Sequence, residues 1–349
     1  MTRVWKVHPA PKPTPVGSLP QQLTDRFFEL NHRPLFCSAG LGGARIFPAP
    51  MDFLDELQHR ILPGDGAMGT ALMAAGIPPE ACFEELGVSR PEMVRAVHGQ
   101  AIAAGARLLR TNSFGANAVR LARHGQERRV SEINWSAAQL AQDAARGTGA
   151  HVAGSVGPLG LSAEEAQTRG IDRQEIFTEQ IGALLDGGAR VIFLETFLDL
   201  EELLLAVLVK HALHHCPVIA SLACPDDGRL PDGTTLAEAL AKLRAAEADV
   251  VGINCVNGPA VAVRLLAGLA DAGPLAVFPS AGLPVRQAGG LAYPASPQDF
   301  AQAVRPLAQS GVRLIGGCCG TTPAHVAAIA EALALLAKEN AMHPHAETR

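Results

Sequence analysis

Short apolar segments alternate with longer amphipathic ones along most of this chain, and the alternation limits the folds that it can adopt. Each apolar segment is bounded by glycine, proline or polar residues, as expected of strands buried in a parallel sheet. The longer segments repeat apolar residues at the helical period. Eight predicted strands cover residues 61–65, 106–111, 150–155, 190–195, 217–223, 249–254, 275–279 and 312–316. Clear helical periods cover residues 173–186, 199–213, 234–246, 258–271, 297–308 and 322–337.

Eight strands that alternate with helices predict an α/β fold, specifically a (β/α)8 TIM barrel in a single domain. The chain of 349 residues is long enough, because such barrels commonly span ~250 residues. A doubly wound α/β sheet is the main alternative. It is less favoured because no Gly-x-Gly-x-x-Gly turn follows the first predicted strand.

The first fifty residues differ from the rest of the chain. Prolines punctuate them without any clear period, so we expect a disordered extension over 1–50. Alternatively, the natural protein starts at Met51, which opens a segment that leads directly into the first strand. The predicted organisation is therefore a low-order extension, a barrel over 51–340 and a tail over 341–349.

The bulk composition disfavours several classes of function. A net charge of −5 provides no basic surface for nucleic acid or acidic membranes. No run of ~18 apolar residues predicts a membrane span, and the N-terminus lacks the apolar stretch of a secretory signal. Seven cysteines, an odd number, do not match a secreted disulfide scaffold. We therefore expect a cytoplasmic protein, where thiols stay reduced, without nucleic-acid or membrane partners.

Three cysteines at the ends of predicted strands are the strongest sign of function. Cys255 closes the Gly-Ile-Asn-Cys motif at 252–255, and Cys318 and Cys319 belong to Gly-Gly-Cys-Cys-Gly at 316–320. The carboxyl ends of barrel strands share one rim, where barrel active sites are built. We therefore expect the three sulfurs to meet, with the flanking glycines letting the backbone bend toward one ion.

Other interpretations of these cysteines explain the pattern less well. Free cysteines often serve as small buried hydrophobes, but glycines on both sides contribute no packing. A redox pair is disfavoured because adjacent cysteines form strained disulfides. Three thiolates around Zn²⁺ leave one tetrahedral position open, which is typical of a catalytic site and suits a thiol substrate.

Further polar residues follow other strands and are expected on the same rim. Asp65 and Gly66 follow the first strand, and Glu195 ends the fourth. Asp65 and Glu195 could bracket an ammonium group, and the backbone N–H groups after Asp65, at a helix N-terminus, could bind a substrate carboxylate. Alternatively, Asp65 caps a helix and Glu195 belongs to a structural ion pair. Thr111 and Asn112, after the second strand, either line the pocket or cap the next helix.

Together these motifs resemble the homocysteine S-methyltransferase family, over about residues 52–337. The resemblance implies a zinc-dependent (β/α)8 barrel that methylates the sulfur of homocysteine to give methionine. Zn²⁺ would be bound by Cys255, Cys318 and Cys319, and Asp65, Gly66 and Glu195 would hold the amino-acid end of homocysteine. The motifs lie at residues 65–70, 111–117, 154–158, 195–196, 252–255 and 316–321.

The resemblance also implies a mechanism. The homocysteine sulfur becomes the fourth zinc ligand, and its pKa falls below the free value of ~8.5. The thiolate then attacks the donor's methyl group in line, so no general base is needed at the methyl. Ser280 stands where the related module of methionine synthase usually carries asparagine, which leaves the resting fourth ligand open.

The methyl donor is the least defined part of this prediction. Betaine-using members surround a quaternary ammonium with aromatic side chains, but Gly115 and Thr196 stand where those members carry tyrosines. A betaine-type enzyme is therefore less favoured than one that uses S-methylmethionine or another small sulfonium compound. A methyl-corrinoid carried on a separate protein is the alternative donor. A non-catalytic zinc- or thiol-binding regulator is a third class, disfavoured by Asp65 and Glu195.

Overall fold

A computed structural model describes residues 52–269, 273–287 and 290–342. The predicted extension over 1–50, the alternative start at Met51 and residues 343–349 of the predicted tail lie outside the described residues. The predicted domain boundaries therefore remain predictions.

Eight parallel strands form a closed barrel, which confirms the predicted (β/α)8 fold. The barrel strands are β1 (Leu62–Pro63), β2 (Leu108–Arg110), β3 (His151–Val156), β4 (Val191–Phe197), β5 (Val218–Leu222), β6 (Val250–Asn254), β7 (Leu275–Phe278) and β10 (Val312–Ile315). Hydrogen-bonded neighbours follow the order β1-β10-β7-β6-β5-β4-β3-β2. A parallel bridge between Gly64 and Leu108 joins the first and last strands of that order, so the sheet is not an open, doubly wound one.

Helices follow the strands and cover the outside of the barrel. Aspartate side chains cap several of them, as at Asp199, which accepts hydrogen bonds from the backbone N–H groups of Glu201 and Glu202. The helices are α1 (Phe53–His59), α2 (Met68–Ala74), α3 (Leu86–Ser89), α4 (Pro91–Ala103), α5 (Ala118–Leu121), α6 (Val130–Ala145), α7 (Ala163–Thr168), α8 (Arg173–Asp186), α9 (Leu200–Leu213), α10 (Leu236–Ala245), α11 (Pro259–Leu266), α12 (Pro297–Gln309) and α13 (Pro323–Met342).

Two details differ from the sequence-based expectation. Helix α11 ends at Leu266, short of the predicted 258–271, because the backbone turns at Gly268 with φ of 79°. A hairpin of β8 (Val285–Gln287) and β9 (Gly290–Ala292) also follows β7 and was not predicted. None of the helices in the described part of the chain is long and apolar enough to cross a membrane.

The barrel interior is apolar and is closed at its N-terminal end by α1. Phe193 and Phe278 meet edge to face inside it, with ring centroids 5.1 Å apart. Phe53 and Leu57 of α1 pack against the interior residues from below. The open end for a ligand is therefore the opposite rim, at the carboxyl ends of the strands.

A buried ion cluster joins α1 to the first strands at this closed end, here called the floor cluster. Glu56, 1% exposed, forms ion pairs with Arg60 and, at 2.9 Å, with Arg107, and a 2.6 Å hydrogen bond with His151. Burial raises the pKa of Glu56, but hydrogen bonds from His151 and Arg107 outweigh it and leave the pKa lowered. Glu56 thus anchors α1 under the barrel.

Candidate functional site

The three predicted cysteines converge on one point of the rim. The Cys255 sulfur lies 3.1 Å from the sulfur of Cys318 and 3.6 Å from that of Cys319, and all three lie within 4.8 Å of one another. Cys255 follows β6, and the other two follow β10. The barrel thus brings together residues that are some sixty positions apart in sequence.

The backbone around Cys255 is held in an unusual conformation. Cys255 has φ of 57° and Thr196 has φ of 65°, both in the left-handed region that non-glycine residues rarely adopt. Asn254, fully buried, accepts hydrogen bonds from the Thr196 N–H (2.8 Å) and the Ser221 hydroxyl (2.9 Å), and donates to the Thr196 hydroxyl (2.6 Å). The ends of β4, β5 and β6 are therefore tied together through one amide.

Glycines allow the chain to pass closely beside the other two cysteines. A Cβ atom added at Gly316 would lie 2.2 Å from the Phe278 ring. One added at Gly320 would lie 2.1 Å from the Tyr293 ring, at a φ of 79°. Side chains are therefore excluded at both positions. Tyr293, which follows the hairpin, packs over the cysteine loop, and sequence reasoning missed it.

Hydrogen bonds among the three sulfurs act in both directions, and with burial added the pKa of each thiol is raised. The hydrogen bond with Cys255, together with burial, raises the pKa of Cys318 to about 12, although the contact with Cys319 opposes this rise. Ser280 lies beside the group, and its hydroxyl donates to the Cys255 sulfur at 3.7 Å. Three crowded thiols of this kind are suited to losing their protons to a divalent cation.

The sulfur spacing fits the zinc ion that the sequence predicts. Zinc–sulfur bonds of ~2.3 Å at tetrahedral angles separate two sulfurs by roughly 3.8 Å. Two of the observed separations are 3.1 Å and 3.6 Å, close to that distance, and no two of the three sulfurs are more than 4.8 Å apart. Cys255, Cys318 and Cys319 could therefore hold Zn²⁺, and all three line one cavity.

A cavity of about 550 Å³ opens on the rim and contains the other predicted site residues. Its volume is in the range of small-molecule sites. It is lined by all three cysteines and by Asp65, Gly66, Thr111, Asn112 and Glu195.

Arg110, which sequence reasoning missed, connects Asp65 to Glu195. Its Nε donates to Asp65 Oδ1 and its Nη1 to Glu195 Oε2, each at 2.7 Å. Its backbone N–H donates to Asp65 Oδ2, also at 2.7 Å. Burial raises the pKa of Asp65, and these contacts oppose the rise. Asp65 is therefore paired with an arginine and is not a helix cap; the N-cap position of α2 is Ala67.

A second hydrogen bond fixes the Glu195 carboxylate. The Ser155 hydroxyl, from β3, donates to Glu195 Oε1 at 2.5 Å. Glu195 is 5% exposed and lines the cavity at the end of the apolar part of β4. Both of its oxygens thus have one partner each, and each can accept another hydrogen bond.

Thr111 and Asn112 lie at the cavity but also hold the backbone around it. The Thr111 hydroxyl accepts from the Ser155 N–H at 2.9 Å and shares a 2.6 Å hydrogen bond with Ser113. Asn112 Nδ2 donates to the Phe83 carbonyl at 2.7 Å. Neither caps a helix, because the cap of α5 is Asn117.

The outer wall of the cavity combines apolar and charged side chains. Glu84 accepts a hydrogen bond from the Gly115 N–H at 2.8 Å. Arg120 stacks over the Phe114 ring at 5.0 Å from its centroid. Met68, Met73 and Phe83 complete this wall. Such a wall can contact a small molecule in the same cavity as the cysteines.

Comparison with known proteins agrees with this arrangement. The model of the homocysteine S-methyltransferase family matches residues 62–333. The chain is 35% identical over 302 residues to methionine synthase of Mycobacterium tuberculosis and 33% identical to that of Mycobacterium leprae. Each match covers 81% of this chain but 25% of the relative, so the chain spans about a quarter of the length of these relatives.

A solved structure is similar over nearly its whole length. The homocysteine methyltransferase MmuM from Escherichia coli, in its metallated form, superposes with a TM-score of 0.65 at 29% identity. The match covers 78% of this chain and 96% of MmuM. Because the family model spans most of the barrel, the chain belongs to the homocysteine S-methyltransferase family.

Proposed function

We propose that this protein transfers a methyl group to the sulfur of L-homocysteine and so forms methionine, with Zn²⁺ as cofactor. One observation carries the proposal: the three converging sulfurs and the Asp65–Glu195 carboxylates line the same cavity. A metal-binding end and an amino-acid-binding end thus face one space. Homocysteine carries both matching groups, a thiol and an α-ammonium.

Cys255, Cys318 and Cys319 would hold the zinc ion. When bound there, Zn²⁺ supplies an open coordination position that favours the thiolate form of a thiol substrate at neutral pH. The need for reduced cysteines also supports a cytoplasmic location.

The protein's own residues orient the substrate. Asp65 and Glu195 accept hydrogen bonds from the substrate ammonium with the oxygen lone pairs that Arg110 and Ser155 leave free. Gly66, beside Asp65, borders the same end of the cavity. Holding the amino-acid end fixes the direction in which the sulfur points toward the donor, which is the main contribution that positioning makes to a displacement.

For the donor we propose S-methylmethionine or another small sulfonium compound. The thiolate forms its bond to the methyl carbon as the bond from that carbon to the sulfonium sulfur breaks, and the donor leaves as a neutral thioether. The cavity wall supports a small cationic donor, because apolar Met68 and Phe83 and the Glu84 carboxylate line the same cavity. Glu84 would offer such a cation a negative charge and Phe83 an aromatic ring, since Arg120 already covers the Phe114 ring.

Betaine is a less suitable donor for this cavity. Among the described lining residues the aromatic side chains are Phe83 and Phe114. A Cβ atom at Gly115 would lie 2.7 Å from Glu84 Oε1, so a tyrosine there would displace Glu84. The wall therefore lacks the residues for an aromatic cage around a quaternary ammonium.

The second candidate donor is a methyl-corrinoid on a separate protein. It is favoured by the identity to methionine synthases, of which this chain spans about a quarter. In that case the protein would activate homocysteine as one component of a larger system.

A donor panel with metal analysis of the same sample tests these proposals. Purified protein with Zn²⁺, homocysteine and S-methylmethionine should form methionine. Failure there, with activity restored by a methyl-corrinoid protein, would support the second donor. No turnover with any donor, betaine included, would contradict the proposed enzyme activity and favour a zinc- or thiol-binding regulator.

A further inference from the structure

Arg110 is the most highly connected charged side chain at the rim. Besides Asp65 and Glu195, its Nη2 donates to the carbonyls of Gly66 (3.0 Å) and Gly317 (2.7 Å). Its guanidinium lies 4.5 Å from the centroid of the Phe278 ring. The side chain is 8% exposed and lines the cavity. It is therefore both fixed in place and available to a ligand.

One hydrogen-bond donor of this guanidinium remains. A guanidinium has five N–H groups. Nε uses one, on Asp65; Nη2 uses two, on the two carbonyls; and Nη1 uses one, on Glu195. The second N–H of Nη1 has no partner among the described residues. A cavity-lining guanidinium with an unused N–H can bind a carboxylate of the ligand.

The charge of the cluster supports the same conclusion. With both carboxylates ionised, Asp65, Glu195 and Arg110 together carry one negative charge. Without Arg110 the cavity would present two buried carboxylates and would repel any ligand carboxylate. With Arg110, acceptors for an ammonium and a donor for a carboxylate lie side by side, which complements the zwitterionic end of an α-amino acid.

We propose that Arg110 is a specificity-determining residue that makes this site select the α-carboxylate of the substrate together with its ammonium group. The inference rests on the proposed function, because it assigns Asp65 and Glu195 to the ammonium. It predicts that ligands lacking either charged group bind more weakly than the complete amino acid. The competing arrangement is that Arg110 takes the place of the ammonium, in which case a ligand without an amino group would suffice.

Three thioethers test the proposal by calorimetric binding to the full-length, zinc-loaded protein. They are L-methionine, 3-(methylthio)propylamine, which lacks the carboxylate, and 4-(methylthio)butanoate, which lacks the amine. L-Methionine should bind about tenfold or more tightly than either, as expected when a charge-assisted hydrogen bond is lost. Equal or tighter binding of the butanoate would overturn the proposal, because the ammonium would then be dispensable.

Substitutions test whether Arg110 is the residue responsible for the preference for a ligand with a carboxylate. In Arg110→Met the preference for L-methionine over the propylamine should fall about tenfold, whereas Arg110→Lys, which keeps the charge but offers three donors in place of five, should lose part of it. Arg107→Met, which removes an arginine at the opposite end of the barrel, is the matched control and should leave the preference unchanged. Partial unfolding of a variant would weaken both apparent affinities by the same factor. The preference is the ratio of the two affinities for one sample, so this factor cancels.

The outcomes separate this inference from the proposed function. An unchanged preference in Arg110→Met would contradict the inference even if the protein methylates homocysteine. A preference that falls in Arg110→Met but not in the control would support it even if none of the donors tested transfers a methyl group. If Arg110→Met does not fold, two measurements still test the inference. They are the affinities of the three ligands for wild type and the preference of Arg110→Lys for L-methionine over the propylamine.

Discussion

Two buried ion clusters occupy opposite ends of the barrel, and their charges are balanced in opposite ways. In the floor cluster one carboxylate, Glu56, is surrounded by Arg60, Arg107 and His151. In the rim cluster one guanidinium, Arg110, is shared by the carboxylates of Asp65 and Glu195. The floor cluster thus has several partners for one carboxylate, whereas the rim cluster has two carboxylates for one guanidinium and lies beside a cavity.

The difference separates a cluster that holds the fold together from one that can bind a ligand. Burying a charge is costly unless it is paired, so both clusters must offset their desolvation. In the floor cluster the pairing of Glu56 with its neighbours offsets the desolvation, and the same contacts tie α1 to the strands. The rim cluster has one carboxylate more than it has guanidinium groups and can accept a cation, which is an indication of function.

The largest effect on stability is expected at the floor. Glu56→Gln leaves Arg107 and His151 without their anion and should lower the free energy of unfolding by roughly 2–4 kcal/mol, measured by urea denaturation. Homocysteine turnover at a temperature where the variant is folded should be unchanged. A Glu56→Gln protein that is as stable as wild type but has impaired turnover would contradict the distinction between the floor cluster and the rim cluster.

The largest effect on substrate use is expected at the rim. Glu195→Gln removes one of the two carboxylates assigned to the substrate ammonium and should lower kcat/KM for homocysteine about 100-fold, equivalent to about 2.7 kcal/mol. Stability should change less than in Glu56→Gln, because Arg110 keeps its ion pair with Asp65. Unimpaired kcat/KM would show that Glu195 does not contact the substrate.

A smaller effect is expected from the hydroxyl that holds Glu195. Ser155→Ala removes the 2.5 Å hydrogen bond to Glu195 Oε1 and should raise KM for homocysteine about fivefold, equivalent to about 1 kcal/mol. The kcat value should change little, because the sulfur end of the site is untouched. A change confined to kcat would argue that Ser155 acts on the methyl-transfer step and not on binding of the amino-acid end.

The smallest expected effect is a difference in pH dependence. The pKa of Glu56 is lowered from its ordinary value of 4.5 in the folded state, so its ionisation stabilises the fold above pH 4.5. This contribution is lost as the pH falls through the lowered pKa. The difference in free energy of unfolding between wild type and Glu56→Gln, measured by urea denaturation, should therefore become smaller as the pH falls. A difference that grows on acidification would contradict a lowered pKa of Glu56.

The sequence was sufficient for the fold and for the cysteine group, for identifiable physical reasons. Barrel strands are buried on both faces, so their apolar runs stand out between glycines and polar residues. Because all the strands end on one rim, Cys255 and Cys318 could be placed together without knowing any distance. The short hairpin after β7 has no such periodic signal, and its few residues around Pro284 did not suggest strands.

Arg110 shows what could not be predicted in the same way. It lies within the predicted strand 106–111 and was given no role there, although the sequence did contain a signal for one. Arg110 lies two positions after Leu108, so the two side chains share the face that points into the barrel. A charged residue on that face requires buried partners of opposite charge. Identifying those partners as Asp65 and Glu195, however, depends on strand register and side-chain direction, which the pattern of residues does not contain.

The most direct test of the account measures bound zinc and methionine formation together in wild type and in Cys318→Ser. The account predicts that wild type retains about one zinc per chain and forms methionine from homocysteine. Cys318→Ser should lose both properties while the barrel remains folded, as judged by circular dichroism. A Cys318→Ser protein that contains no zinc yet methylates homocysteine at the wild-type rate would contradict the central claim.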